Sequence, residues 1–92
     1  MELSFEWDEV KAAINLKEHG VSFELAARAF YDIYRTDRYD IRESYGEDRY
    51  VTVGLVGDVE LAVAYTLRGD TIRIISARMA EPNEQSTYWK DR

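Results

Sequence analysis

The chain has 92 residues, a formal net charge of −6 at pH 7 and no cysteine. This length predicts a single domain, residues 1–92, with one modest core. The missing cysteines exclude disulfides and cysteine-ligated metal sites, and no apolar run approaches the roughly 18 residues that span a bilayer. The acidity argues against non-specific nucleic-acid binding, which depends on Lys and Arg. We therefore expect a cytoplasmic protein with no membrane partner, in which any RNA contact is local.

A short strand and a helix open the chain. Residues 3–7 alternate apolar and polar and predict a strand. Asp8 stands at the N-cap position of a helix over residues 9–18, and Gly20 is suited to the left-handed end of that helix. An apolar stripe at spacings of three and four predicts the face turned to the core: Val10, Ala13, Ile14 and Lys17.

A second helix follows after a very short link. Ser22 can cap its N-terminus, and an i, i+3, i+4, i+7 stripe predicts its buried face: Phe23, Ala26, Ala27 and Phe30. A link this short joins two helices as a hairpin.

The pattern then changes to a period of two and predicts strands at residues 34–43, 50–55, 60–67 and 71–78. Short turns join them, around Gly46, at Gly57 and at Gly69, so an antiparallel meander is expected, with the charged first strand near an edge. Pro82 can open a C-terminal helix running to about Lys90. The order βααββββα predicts an α+β fold, in which helices cover one face of the sheet.

The last predicted strand is unusually basic for an acidic protein. Residues 61–80 hold three arginines and one aspartate, a local net charge of +2. Such a strand is typical of a surface that binds anions, and RNA phosphate is a natural candidate for the ligand. In an ideal strand, alternation puts Arg73 and Arg78 on opposite faces, so one shared site requires a bulge, sheet twist or a position at the strand end.

Two segments resemble the signatures of the BrnT toxins. FEWDEVKAAINLKEHGVSFELAARAF, residues 5–30, is similar to their N-terminal motif, and IRIISAR, residues 72–78, to their C-terminal one. Here the string Lys17-Glu18-His19-Gly20 carries an extra acidic residue where the family has Lys-His-Gly.

The resemblance implies a RelE-like fold and a metal-independent ribonuclease that halts translation, with no cofactor. It also implies a small ribbon-helix-helix antitoxin, BrnA, which inhibits the toxin. DNA would be bound only through the complex of the two proteins, which represses its own operon.

RNA cleavage without metal needs a base, an acid and cations for the phosphorane. His19, the sole histidine, is the candidate acid or base, with contact to the helix C-terminal carbonyls as its structural alternative. Arg73 and Arg78 are the candidate catalytic cations, because a guanidinium fork matches phosphate oxygens. Their alternative is an ordinary salt bridge, for example with Glu81 or Asp70.

Other cations are candidates for RNA binding rather than chemistry: Lys11, Lys17 and Arg68. A lone histidine with scattered carboxylates does not form a metal site. The rival function is a non-catalytic interaction module that keeps the fold and the antitoxin-binding surface, which the acidity and the displaced Lys17 favour. A small-molecule acid–base enzyme lacks a paired-carboxylate signature.

Overall fold

The computed structural model describes residues 2–40 and 47–90. The elements in chain order are β1 Ser4–Glu6, α1 Glu9–His19, α2 Phe23–Ala27, a 3-10 turn Arg28–Tyr31, β2 Thr36–Tyr39, β3 Tyr50–Val56, β4 Val59–Arg68, β5 Thr71–Met79 and α3 Pro82–Lys90. The predicted order βααββββα is confirmed. Of the strand predicted at residues 34–43, Thr36–Tyr39 forms β2. Its residues 41–43 and the turn predicted around Gly46 lie outside the described residues.

One five-stranded sheet organises the chain, in the order β1-β5-β4-β3-β2. Strands β2 to β5 form the predicted antiparallel meander, and β2 lies at an edge as expected. The sheet is mixed rather than purely antiparallel, because β1 joins β5 in parallel, with Phe5 beside Ile72. No described helix is long and apolar enough to cross a membrane.

The helix boundaries follow the predicted capping residues. The Asp8 carboxylate accepts hydrogen bonds from the backbone N–H groups of Val10 at 2.8 Å and Lys11 at 3.1 Å. Gly20 ends α1 at a φ of 70°, a left-handed conformation that suits glycine. Ser22 caps α2 by accepting from Leu25 N–H at 3.0 Å. The helical hairpin is therefore encoded locally.

The main core lies between α2 and one face of the sheet. Phe23, Ala26 and Phe30 are buried there, as their stripe predicts, against the central strands. The Phe30 ring meets those of Phe5 and Tyr65 edge-on, with centroids 5.6 Å and 4.9 Å apart. Such aromatic pairs contribute about 0.5–1.5 kcal/mol beyond their buried area.

The predicted buried face of α1 is wrong. Val10 is 69% exposed and Ile14 50% exposed, and Lys17 is exposed with them rather than lying over the core. The residue turned to the sheet is Asn15, which is only 5% exposed. The buried position of α1 is therefore taken by a polar side chain, although the apolar stripe predicts hydrophobic residues there.

Asn15 completes the edge of β5. Within the described chain, β1 pairs with β5 only at residues 71–73, so Ala77 has no strand beside it on that edge. The Asn15 carboxamide takes that place, accepting from Ala77 N–H at 3.0 Å and donating to Ala77 C=O at 2.9 Å. It also donates to Val21 C=O at 2.9 Å. Buried backbone groups must be paired, which explains why asparagine is buried here.

The expectation that helices cover one face only is also wrong. A second buried cluster lies on the opposite face, where α3 packs on β3 and β4: Val51, Val53, Ala62, Ala80 and Tyr88. The Tyr88 hydroxyl donates to Asp32, whose carboxylate also accepts from Leu55 N–H at 2.8 Å. These bonds fasten α3 over one part of the second face.

Candidate nucleic-acid interface

A β-bulge decides which way the basic side chains of β5 point. Tyr65 pairs with Ile74 and Ala64 with Ser76, so Ile75 is an extra residue in β5. Arg73 then lies opposite Thr66, and Arg78 lies opposite Ala62. Thr66 and Ala62 share a face of β4, because they are four residues apart. The bulge therefore puts both arginines on the face that carries α3.

The two arginines are nevertheless separate on that face. Four residues of strand span about 13 Å. Arg73 donates to Glu6 at 2.8 Å, and Arg78 donates to both oxygens of Glu84 at 2.7 Å and 3.1 Å. The salt-bridge alternative is therefore present for each arginine, with these two carboxylates as partners rather than Glu81 or Asp70. Each guanidinium also lines its own depression.

Glu84 is the most buried charge beside this surface, with a side chain only 3% exposed. It also accepts from Arg38 at 2.9 Å and from Glu81 N–H at 2.9 Å. Burial alone would raise the pKa of the Glu84 carboxyl, but the bonds from Arg78, Glu81 and Arg38 hold it at about 2. Glu84 in turn raises the pKa of Arg78. Glu84 and Arg78 are therefore both ionised at neutral pH.

Three of the cations that the sequence predicts at the site lie together in one depression of the surface, which we call the first depression. Around Arg73 the lining is Asp8, Lys11, Glu47, Arg49, Arg68, Arg73, Ile74 and Ile75. Four cations face two carboxylates, so the local charge is positive although the chain is acidic. Arg68 and Glu47 approach to 3.7 Å with both side chains well exposed. Lys11 and Arg68 thus lie beside Arg73, as an RNA-binding role requires.

His19 lies at the other end of α1. It is exposed and is the last residue of the helix, in a shallow groove between α1 and the bulge that Lys11, Ile75 and Ser76 also line. Eight residues of helix separate it from Lys11, about 12 Å. The structure thus places His19 near the bulge and apart from both arginines. Lys17 is exposed about 200° round the helix from Asn15, away from this surface.

Besides the first depression and the His19 groove, a third depression contains Arg78 and a cation, Arg49, that the sequence analysis does not single out. Its lining is Asp40, Arg49, Val51, Ala62, Ala64, Ser76 and Arg78. Arg49 lies two residues before the inward-facing Val51, so alternation from β3 would have placed it on this face. Arg49 precedes β3 and lies outside the basic last strand, so the charge pattern of that strand does not point to it.

The three depressions surround one structural feature. Ile75 lines the first and the His19 groove, Ser76 lines the groove and the third, and Arg49 lines the first and the third. The bulge is thus the common centre of a basic surface whose cations are individually separated.

A comparison with protein families gives this surface a context. The family model described as a ribonuclease toxin, BrnT, of a type II toxin–antitoxin system matches residues 7–84. The chain belongs to the BrnT family. The matched segment runs from the end of β1 into α3 and includes all the cations of the basic surface as well as Glu84. No curated protein matches the chain.

Membership of the BrnT family defines a broad function. The chain is a ribonuclease toxin of a type II toxin–antitoxin system, with RNA as its target and an antitoxin as its partner. The resemblance that the two terminal motifs indicate is confirmed.

Proposed function

We propose that this BrnT-family toxin cleaves RNA without a metal ion, on the basic surface around the β5 bulge. The observation that carries the proposal is the register shift at Ile75, which turns Arg73 and Arg78 to one face. Without that shift the two arginines would lie on opposite sides of the sheet and would not meet one RNA strand.

The proposed reaction is an internal transesterification. The ribose 2′-hydroxyl attacks the neighbouring phosphorus and gives its proton to a base. The bond from phosphorus to the 5′-oxygen breaks as an acid protonates that oxygen, leaving a 2′,3′-cyclic phosphate and a 5′-hydroxyl. Arg78 offsets the charge of the phosphorane, and Arg73, about 13 Å away along the sheet, binds another phosphate of the same strand. His19 serves as acid or base, and Lys11 and Arg68 bind the flanking backbone, whereas Lys17 points away from this surface and makes no contact in this proposal.

The arginine pairs define how RNA would engage this surface. A phosphate that binds Arg73 or Arg78 must compete with Glu6 or Glu84 for the guanidinium fork. Glu6 is 39% exposed at its side chain and can turn to solvent, whereas Glu84 is fixed by burial. Arg73 can therefore exchange its carboxylate partner for a phosphate. Arg78 stays bonded to Glu84 and can bind a phosphate only through the N–H groups that Glu84 does not accept from.

The direct test is cleavage of a single-stranded RNA in a buffer with chelator. We expect Arg78→Ala to lower the rate by about 10²–10³, the usual loss when a charge-stabilising donor is removed. Arg28→Ala is the matched control, because Arg28 is an exposed arginine in the 3-10 turn, away from these depressions. Equal rates for the two variants would contradict the role of Arg78, and circular dichroism shows whether each variant is folded.

The finer assignments belong to the same proposal. The antitoxin is a BrnA-like ribbon-helix-helix protein, DNA is bound only through the complex, the fold is RelE-like, and cleavage in the cytoplasm inhibits translation. Expression of the chain alone should stop growth, and co-expression with a neighbouring gene of that type should restore it. Growth unaffected by the chain alone would contradict this part of the proposal.

A second function is favoured by the ion pairs themselves. Arg68, Arg73 and Arg78 each form an ion pair with a carboxylate, so three cations of the surface already have a partner in the structure. A non-catalytic module that keeps the fold and the antitoxin-binding surface needs no cations free to bind phosphate. Tight antitoxin binding by a chain that leaves RNA intact at high protein concentration would favour this function over the ribonuclease.

A further inference from the structure

Arg49 lies between the two arginines that the sequence singles out. Extending the β3–β4 register by one pair from Tyr50 and Tyr65 puts Arg49 opposite Thr66, and Thr66 is paired on its other side with Arg73. The Thr66 hydroxyl donates to the backbone C=O of Asp48, the residue before Arg49. Arg49 and Arg73 therefore flank Thr66 across the sheet, about 10 Å apart at the backbone.

Arg49 also reaches the depression of Arg78. Of the described residues, it is the one that lines both the depression around Arg73 and the depression around Arg78. Arg49 is therefore the residue that the two depressions share.

The Arg49 side chain is held rather than extended into solvent. It is half-buried, its Nε atom is shielded from water, and its backbone C=O accepts from Asp40 N–H at 2.8 Å. A planar guanidinium that is already ordered loses less entropy when it binds an oxyanion. Its position and its partial order both suit a phosphate contact.

We propose that Arg49 binds an RNA backbone phosphate and joins the Arg73 and Arg78 depressions into one continuous phosphate track. The inference rests on the proposed function, since it takes RNA as the ligand. It adds a contact that spans β3 and β5, so the RNA strand crosses the sheet rather than following β5 alone.

The test is equilibrium binding of a labelled single-stranded RNA at several salt concentrations. Removing one phosphate contact lowers the slope of log affinity against log salt by about 0.7 for a single strand. Arg49→Ala should therefore show that smaller slope and roughly tenfold weaker binding at low salt. Arg49→Lys keeps the charge and should keep the wild-type slope, while its RNA affinity falls because the guanidinium fork is lost.

Arg28→Ala again serves as the matched control, and its slope should equal that of the wild type. If Arg49→Ala does not fold, Arg49→Lys decides: wild-type RNA affinity in that variant overturns the inference. A folded Arg49→Ala with the affinity and slope of Arg28→Ala overturns it as well. RNA binding and cleavage by the wild type in those cases leave the proposed function standing, whereas a wild type that neither binds nor cleaves RNA removes both.

Discussion

At the scale of one residue, Glu84 links the stability of the fold to the position of an arginine on the basic surface. One buried carboxylate bonds Arg78, Arg38 and the N-terminus of α3 together. Its low pKa, about 2 against an ordinary 4.5, means that the folded chain favours the ionised form. Above about pH 4.5 this preference stabilises the fold, and the stabilisation is lost as the pH falls towards about 2.

Glu84→Gln should therefore destabilise the chain at neutral pH, by about 1–3 kcal/mol. The two arginines are partly exposed and regain water, which keeps the loss below that of a fully buried ion pair. Urea titrations of the wild type and the variant between pH 7 and pH 2 measure the effect. The gap in unfolding free energy should narrow as the pH falls below about 4.5; a gap independent of pH would mean that ionisation of Glu84 contributes nothing.

Asn15 is the second residue whose side chain connects distant parts of the chain. Asn15→Ala leaves the buried N–H and C=O of Ala77 without their partners, so we expect a loss of about 2–4 kcal/mol in unfolding free energy. Leu16→Ala is the control one residue along, because Leu16 is 51% exposed and its loss should cost little. Thermal melts of equal midpoint for the two variants would show that the edge of β5 does not need the carboxamide.

At the scale of elements, the 3-10 turn approaches β3 more closely than any side chain permits. A Cβ atom added at Gly54 would lie 2.5 Å from the backbone oxygen of Ala29. Because the obstacle is backbone rather than a flexible side chain, the two elements would have to move apart.

Gly54→Ala should cost about 1–3 kcal/mol, the usual range for overpacking a filled core. Chemical denaturation measures it. An unfolding midpoint equal to that of the wild type would mean that the contact between the turn and β3 can widen without loss.

The elements differ in how far the sequence predicts them. Caps at Asp8, Gly20 and Ser22 are local, so the hairpin can be predicted, and the period of two identifies the strands. The face of α1 cannot be predicted by counting apolar residues, because the need to pair Ala77 selects Asn15. The residues around Ile75 include no glycine, so the sequence does not predict a bulge there. That Arg73 and Arg78 share a face can therefore be established only from the register of the folded sheet.

At the scale of the whole molecule, the net charge of −6 and the basic surface have to coexist. The cations are concentrated around the β5 bulge and are partly balanced by Glu6, Glu47 and Glu84. Beyond roughly 8 Å, salt at physiological strength screens the acidic remainder. On the proposed function, RNA binding is therefore a short-range event on this surface, and the proposed Arg49 contact extends that surface across the sheet.

The sequence indicates the family of the protein but not the arrangement of its site. Two terminal motifs are enough to indicate the BrnT family, and the family comparison confirms it. The arrangement of the site is a property of the sheet: Lys11 and Arg68 join Arg73, Arg49 links the depressions, and Lys17 points away. Spacing along the chain does not carry this information, because the residues come from α1, β4, β5 and the start of β3.

The most direct test of the account is the nature of the RNA ends that the purified chain produces, free of antitoxin, in excess chelator. We expect fragments that end in a 2′,3′-cyclic phosphate and begin with a 5′-hydroxyl, at a rate that Arg78→Ala reduces and Arg28→Ala does not. RNA that stays intact in chelator and is cut only after a divalent metal is added would contradict the arginine-based mechanism on the β5 bulge.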